Sequence, residues 1–237
     1  MIKTEIIEAL VPLKDPALIA MLAHFAEIHH YKKGEHIYDV GDMQKKIYIL
    51  WSGILRCYFI DELQTDITDC FMTEKGLIAN TPEVFQSKGE TPSVVGVEVL
   101  ADAMVCEIPV KRIILMMQQY SEMAGLYIYY LHQSLEFQNE INNKRLYLSG
   151  SKCYEWFCKK WPEVDQIASN HQIATFLGIR SESLSRLRHQ KRKIRFFWGG
   201  GNSINGRIKD LKKLKENLDT AVQKYQAVDD RVANNFR

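Results

Sequence analysis

The densest run of basic residues in the sequence extends from Arg180 to Arg195, where seven Lys and Arg accompany a single acid, Glu182. Closely spaced Lys and Arg side chains can bind the phosphate oxygens of a polyanion, with an affinity that falls as salt is added. A helix surface that contacts only water is the alternative interpretation of such a run. The residues around the run decide between the two interpretations.

The residues on the N-terminal side of this run have the pattern of two short helices joined by a tight turn. Ser169 stands three residues before Gln172, the capping-box pattern that begins a helix. Gly178 follows the apolar part of that helix and favours the left-handed backbone of a helix end. A second helix is predicted from near Ser181, with Glu182 in its first turn, where the helix dipole favours an acid. The pattern indicates a helix-turn-helix, with an ordinary helical hairpin that binds no DNA as the alternative.

The predicted helix-turn-helix has an inner face and an outer face. The inner positions are filled by Ile173, Ala174, Leu177, Ile179, Leu184 and Leu187, and Gly178 occupies the turn. The outer side chains of the second helix would enter the major groove, where Arg can donate two hydrogen bonds to a guanine and Glu can accept one from a cytosine. The predicted base-reading residues are Ser181, Glu182, Ser185, Arg186 and His189, and the predicted phosphate contacts are Arg180, Arg188, Lys191 and Arg192.

The net charge of +2 hides two unlike parts of the chain. Residues 1–150 contain 13 Lys and Arg against 20 Asp and Glu, a net of −7, and residues 151–237 contain 18 against 9, a net of +9. This asymmetry indicates a sensing or assembly part joined to a part that binds a polyanion. No apolar run approaches the roughly 20 residues of a membrane span, no secretion signal is evident, and five cysteines are too few for a disulfide scaffold. We therefore expect a cytoplasmic protein that contacts no membrane.

The elements before residue 150 fall into three groups. Apolar residues at 3–4 spacing over 4–28, interrupted by Pro12 and Pro16, predict helices. Short β-rich segments separated by glycine over 31–109 predict a rolled antiparallel β unit, with a two-residue turn at Asp61 and Glu62. A long helix is predicted over 121–148, where one stripe repeats at 3–4–3–4 spacing. The stripe fits a seam between two copies of the helix or packing against the chain's own β unit, and consists of Ile128, Leu131, Leu135, Gln138 and Asn142.

Together these segments resemble the Crp/Fnr family of bacterial transcription regulators. The strongest match is the segment from Ile173 to Ile179, followed by the segment from Glu182 to Arg186. The Glu-x-x-Ser-Arg pattern of the second segment is similar to the recognition helix of the Fnr branch. The glycine-turned strands of the family's β-roll are matched more weakly by Lys33-Gly34-Glu35, Val40-Gly41-Asp42 and Tyr48 to Gly53.

The resemblance implies an α+β fold with four parts. A β-roll of the cyclic-nucleotide-binding type with flanking helices is expected over residues 1–120, and a dimerisation helix over 121–148. A winged helix-turn-helix is expected over 149–198, and a linker with an amphipathic helix over 199–237. Phe196, Phe197 and Trp198 fit either a short wing or an anchor for this tail.

The resemblance also places an effector site at Gly76, Leu77, Ile78 and Ser93. Relatives that bind cyclic nucleotides hold the ribose with a Gly-Glu pair and the phosphate with an Arg followed by Ser or Thr. In this sequence the stretch that begins at Gly76 lacks the Glu, and Pro92 stands where the Arg is expected. Because a buried phosphate without a cationic partner is costly, we expect an effector other than cyclic AMP.

Other chemistry is poorly supported by the sequence. A cupin-like metal site could be sought at His29, His30, Glu35 and His36, but neighbouring His29 and His30 point to opposite sides of a strand. The first cysteine is Cys57, so the clustered N-terminal cysteines of an Fnr-type iron–sulfur site are missing. No nucleophile–base arrangement is recognisable. We expect no metal, no cofactor and no catalytic site.

The expected function is therefore a homodimeric, DNA-binding transcription regulator, and more specifically an activator. Its expected partners are near-palindromic double-stranded DNA, RNA polymerase and an unidentified small-molecule effector. A β-roll ligand-binding or interaction protein that no longer reads DNA is the alternative.

Overall fold

The computed structural model describes residues 2–78 and 91–199. Two helices come first, α1 (Ile2–Leu10) and α2 (Pro16–Phe25), so the predicted interruption between them is confirmed. Helix α2 begins where Asp15 accepts a hydrogen bond from the backbone N–H of Ala17 at 2.8 Å. Proline at the first helical position loses no hydrogen bond, because that N–H has no partner inside the helix.

The strands of the described residues form one antiparallel sheet, which confirms the predicted β unit. They are hydrogen-bonded in the order β1–β6–β3–β4, with β2 also paired to β6 and β5 to β3. The register between β3 and β6 shifts near Ser52 and Ile54, and such bulges bend strands and let a sheet roll. The strands are β1 (Glu27–Tyr31), β2 (His36–Tyr38), β3 (Lys46–Ile60), β4 (Asp66–Met72), β5 (Gly76–Leu77) and β6 (Gly96–Pro109).

Glycine is required at the bend of β3. Gly53 has a φ of +115°, and a Cβ at this position would lie 2.6 Å from the Cα of Ala103 on β6. Both the backbone conformation and the close approach of the two strands exclude a larger residue there. The prediction that Gly53 separates two strands is therefore wrong, because it lies within β3 at a point where β3 and β6 touch.

The turn between β3 and β4 is longer than the sequence pattern suggested. Strand β3 ends at Ile60 and β4 begins at Asp66, so five residues rather than two connect them. The carboxylate of Asp61 accepts hydrogen bonds from the backbone N–H groups of Leu63 and Thr65, at 2.9 and 2.8 Å. The backbone N–H of Asp61 also donates to the Thr65 carbonyl at 3.0 Å, so the side chain and the backbone of Asp61 together hold the turn.

Helices make up the described chain after Pro109. They are α3 (Val110–Gln119), α4 (Ser121–Tyr147), α5 (Gly150–Lys160), α6 (Pro162–Ile167), α7 (Asn170–Leu177) and α8 (Ser181–Gly199). Helix α4 confirms the long helix predicted over 121–148. Phe196, Phe197 and Trp198 lie in α8 and therefore do not form a wing strand. The predicted linker beyond Gly199 and the amphipathic helix lie outside the described residues.

The chain divides into two compact units, residues 1–187 and 188–237, and the division falls within α8. In the first unit, one hydrophobic cluster joins α1, α2 and α3 to one side of the sheet. A second cluster runs from the sheet into α5, α6, α7 and the start of α8. The helices after residue 149 therefore share a core with the β unit. Among the described helices, none combines the length and the apolar content that a bilayer crossing requires.

Candidate functional site

Both ends of α7 have the geometry that the sequence predicted. The Ser169 hydroxyl accepts a hydrogen bond from the Gln172 backbone N–H at 3.1 Å, and the Gln172 side chain accepts one from the Ser169 N–H at 2.9 Å. Gly178 ends the helix in the left-handed conformation with a φ of +66°. The chain then enters α8 at Ser181, so two helices joined by a tight turn are present as expected.

The inner face of α7 and α8 contains the predicted apolar residues and one more. Ile173, Ala174, Leu177 and Leu184 are buried, and the partly buried Ile179 and Leu187 pack against the same cluster. Phe176 is also fully buried, although the sequence pattern had not placed it in the core. Its ring reaches beyond the helix pair to the sheet.

The predicted base-reading residues lie on accessible parts of α8. Glu182 and Arg186, one helical turn apart, are exposed, and Ser181 and Ser185 are half-buried. The Arg186 guanidinium donates a 3.3 Å hydrogen bond to the Ser183 hydroxyl, and no ion pair joins it to an acid among residues 2–78 and 91–199. His189, which lies in the second unit, is exposed.

The predicted phosphate contacts differ in exposure. Arg180 precedes α8 and is exposed, as is Lys191 in the second unit. Arg188 is half-buried, and the side chain of Arg192 is outside the described part of the chain. The roles of all these residues toward DNA stay predictions.

A buried arginine on β3 forms the centre of a polar cluster that the sequence did not reveal. The Arg56 side chain is 3% exposed. Its Nε donates to the Thr68 hydroxyl at 2.8 Å, its Nη1 donates to the Glu98 carboxylate at 2.9 Å, and its Nη2 donates to the Asp66 carboxylate. Two carboxylates and a hydroxyl thus compensate the cost of burying this cation.

The three partners of Arg56 also hold α7. Each of them contacts one polar side chain in the first two turns of that helix. We call the seven residues the Arg56 cluster: Arg56 itself, Asp66 with His171 (2.8 Å), Glu98 with Gln172 (3.1 Å), and Thr68 with Thr175 (3.2 Å).

The charge state of Asp66 should make this attachment sensitive to acid. Burial opposes ionisation of the carboxyl, but the hydrogen bonds and charges of Arg56 and His171 outweigh it and lower the pKa of Asp66. A carboxyl whose pKa is lower in the folded state stabilises the fold above its unfolded pKa of about 3.9, and this contribution is lost as pH falls through the folded value.

We expect the free energy of unfolding to fall more steeply with acidification in the wild type than in Asp66→Asn, in the range from about pH 5 downward. Urea unfolding at a series of pH values measures this difference. Parallel pH profiles for the two proteins would show that Asp66 does not titrate in this way.

Aromatic rings join the sheet to the helices beside the Arg56 cluster. The ring centroid of Phe176 lies 5.3 Å from that of Phe71 on β4, 5.6 Å from Phe157 and 5.4 Å from Trp161. The guanidinium of Arg145 on α4 lies 4.4 Å from the centre of the Phe176 ring, and it donates to the Asp69 carbonyl at 3.0 Å. These contacts bring α4, α5, α7 and β4 together.

The predicted effector residue Ser93 is buried in a turn beside β2. Its hydroxyl donates to the Val95 carbonyl at 2.7 Å, and its backbone N–H donates to the Asp42 carbonyl at 2.8 Å. The N–H of Gly41 donates in turn to the Ser93 carbonyl at 2.7 Å. The hydroxyl therefore has a structural role in this turn.

The other predicted effector residues lie at the edge of β3. Gly76 and Leu77 form β5, which pairs with Ile49 and Leu50, and the backbone N–H of the buried Ile78 donates to the Tyr48 carbonyl at 2.8 Å. Residues 79–90, which complete the predicted site, lie outside the described residues. A shared site for Gly76, Leu77, Ile78 and Ser93 stays a prediction.

One group in the described part of the chain has the spacing of metal ligands, formed by Glu27, His29 and Glu107. The ammonium of Lys46 lies 3.0 Å from the Glu27 carboxylate and 2.9 Å from the Glu107 carboxylate. The Tyr31 hydroxyl donates to the other Glu107 oxygen at 2.6 Å. Because Lys46 already supplies the positive charge between the two carboxylates, the group is an ion-pair cluster.

Comparison with known proteins agrees with this architecture. Residues 28–120 match the cyclic nucleotide-binding domain. No protein of curated function matches the sequence significantly.

Solved structures share the fold over most of the chain. A protein from Eubacterium rectale assigned to the Crp/Fnr family of transcriptional regulators has a TM-score of 0.61 at 16% identity, over 76% of this chain and 85% of that one. The c-di-GMP-responsive global regulator CLP from Xanthomonas campestris has a TM-score of 0.59 at 12% identity, over 76% and 92%. FixK2 from Bradyrhizobium japonicum has a TM-score of 0.56 at 16% identity, over 71% and 85%. Residues 28–120 are thus similar to the cyclic nucleotide-binding domain, and the chain shares its fold with these solved regulators.

Proposed function

We propose that the protein is a homodimeric, sequence-specific DNA-binding transcription regulator that reads base pairs with α8. The observation that carries this proposal is the exposed pair Glu182 and Arg186, on a helix that follows a left-handed glycine turn in the most basic segment of the chain. Arg can donate to guanine and Glu can accept from cytosine in the major groove. The surrounding Lys and Arg would add affinity through phosphate.

The surface of α4 supports the dimer. Ile128 and Leu135 are 65% and 64% exposed, and Met123 and Ile141 are the residues of this 27-residue helix that are fully buried. The alternative, in which the stripe packs against the chain's own β unit, is not what the structure shows for Ile128 and Leu135. A second copy related by a two-fold axis would present the same stripe and cover both.

The dimer determines the kind of DNA that the protein would bind. Two recognition helices related by a two-fold axis fit two half-sites about 34 Å apart on one side of the duplex, and such a site is near-palindromic. We infer that the protein acts in the cytoplasm, as an activator that contacts RNA polymerase. The β-roll would respond to a small molecule other than cyclic AMP, because Pro92 stands where a phosphate-binding Arg would be expected.

The proposal is tested first by selecting bound sequences from a pool of random duplexes. Arg186→Ala should then lose about 10- to 100-fold of preference at one base pair of the selected site, which corresponds to the roughly 1–3 kcal/mol of a bidentate pair. Lys191→Ala should weaken binding to every sequence by a similar factor. It should also reduce the slope of log K against log salt concentration by about one. Titrations against base-substituted duplexes at two salt concentrations measure both effects.

If both variants lose the same affinity for every duplex tested, α8 does not read bases through Arg186. If the selection enriches no sequence at all, the alternative of a β-roll interaction protein that does not read DNA would be favoured.

A further inference from the structure

The first helix of the proposed helix-turn-helix is attached directly to the sheet. Three polar pairs of the Arg56 cluster connect α7 to β4 and β6, and the buried Phe176 packs on Phe71 beside them. Thr68 takes part twice, because its backbone N–H also donates to the Thr175 hydroxyl at 3.2 Å. The helix pair is therefore held by specific contacts and not only by its linker.

These contacts use the part of α7 that DNA would approach. In a helix-turn-helix the first helix crosses the DNA backbone while the second lies in the groove. The amide groups and polar side chains of the first turn would then approach phosphate. In this structure His171 and Gln172 of that turn contact the carboxylates of Asp66 and Glu98 instead. A phosphate brought to this place would meet two negative charges, and like charges repel.

Resting on the proposed function, we propose that the Arg56 cluster is an autoinhibitory clamp. While α7 is docked on the sheet, the protein binds DNA weakly, and release of α7 raises the affinity. The Arg56 guanidinium donates hydrogen bonds to the carboxylates of Asp66 and Glu98 and so holds both in place against the helix.

The clamp is also connected, through Tyr58 and two aspartates, to the turn that contains Ser93. The guanidinium of Arg56 lies 4.9 Å from the ring centre of Tyr58, whose hydroxyl donates to the Asp39 carboxylate at 2.9 Å. The Asp39 backbone N–H donates to the carboxylate of Asp42, and the backbone carbonyl of Asp42 accepts a hydrogen bond from the Ser93 N–H. Tyr58 in turn packs against Gly96, where a Cβ would lie 2.5 Å from its ring. A continuous chain of contacts thus connects the predicted effector turn to α7, and packed side chains and hydrogen bonds of this kind can carry coupling between two sites.

A reversible cross-link tests the clamp. The hydroxyl oxygens of Thr68 and Thr175 lie 3.2 Å apart, so Thr68→Cys together with Thr175→Cys should place two thiols within disulfide reach. Diamide oxidises the two thiols to one disulfide and takes up their two protons and two electrons to become a hydrazine. Peptide mapping identifies the bond between positions 68 and 175, and dithiothreitol reverses it.

DNA binding is compared between the locked and the reduced protein, with a random-sequence duplex of about 30 base pairs at low salt as the probe. We expect the reduced double variant to bind at least about tenfold more tightly than its locked form, and wild type treated identically to show no change. Equal affinity of the locked and reduced forms would overturn the clamp.

A second variant covers the case in which the double variant does not fold. Thr175→Val keeps the volume of the side chain but removes its hydrogen bonds to Thr68. It should bind the same duplex more tightly than wild type and exchange the amide hydrogens of α7 faster, and faster exchange with unchanged or weaker binding would contradict the clamp. Absence of DNA binding by every form would instead refute the proposed function.

Discussion

Replacing Ile128 and Leu135 with Glu should convert the proposed dimer into a monomer and weaken binding to the selected near-palindromic duplex by at least about 100-fold. Both side chains are more than half exposed in the single chain, so the substitutions leave the fold of one protomer intact. In a two-fold seam each Glu would meet its own copy, and the apolar burial would be replaced by repulsion between like charges. Without the dimer, the second half-site no longer contributes its gain of about 10²–10⁴ in avidity.

Gln133→Glu provides the matched control, because Gln133 is exposed on α4 but lies outside the stripe. It adds one negative charge to the same helix, where the double variant adds two, and should leave both the dimer and DNA binding unchanged. Sedimentation velocity measures the oligomeric state and fluorescence anisotropy measures binding to the duplex. A double variant that remains dimeric would place the dimer contact elsewhere, and a monomer with wild-type affinity would show that DNA binding does not need the dimer.

The features that could be predicted from the sequence are those that neighbouring residues determine. The capping box depends on Ser169 and Gln172, three positions apart, and the end of α7 depends on the freedom of Gly178 to take a positive φ. The stripe on α4 is likewise a property of residues three and four apart. Such patterns are visible without knowing where the rest of the chain lies.

The Arg56 cluster could not be predicted in this way. Thr68 and Thr175 are 107 positions apart, and Asp66 and His171 are 105 positions apart. Nothing in the local sequence distinguishes a solvated arginine on a β-strand from one that is buried between two carboxylates. The contact is created when α7 packs on β4, and this packing was not expected because the family resemblance suggested a helix-turn-helix separate from the β-roll.

The end of α8 shows a different limit. Phe196, Phe197 and Trp198 have side chains that are common in strands, so they fitted a wing as well as an anchor for the tail. The helix instead continues to Gly199. The preceding basic residues are good helix formers and contain no glycine or proline, so nothing ends the helix earlier.

The second prediction with a large expected effect is a loss of stability when the core shared by the sheet and the helices loses an aromatic ring. Phe176→Ala should lower the free energy of unfolding by about 3–5 kcal/mol, the usual range for removing a buried aromatic ring. The Phe176 side chain is fully buried, and its ring touches Phe71 on the sheet and Trp161 between α5 and α6. It also supports the Arg145 cation, which would lose its aromatic partner. Phe176→Leu should cost much less, because it fills most of the same space.

The part of the chain that Phe176→Ala destabilises would show whether the helices after residue 149 fold with the sheet. Since Phe176 contacts both, we expect Phe176→Ala to shift the urea midpoint of the whole first unit in one transition. Hydrogen exchange should then quicken in β4 and α7 by a similar factor. Phe59→Ala, at a partly exposed position on β3, should change stability by only about 0.5 kcal/mol. If α7 instead unfolds early while β4 keeps its wild-type protection, the helix pair is an independent domain that rests on the sheet, as the sequence resemblance implied.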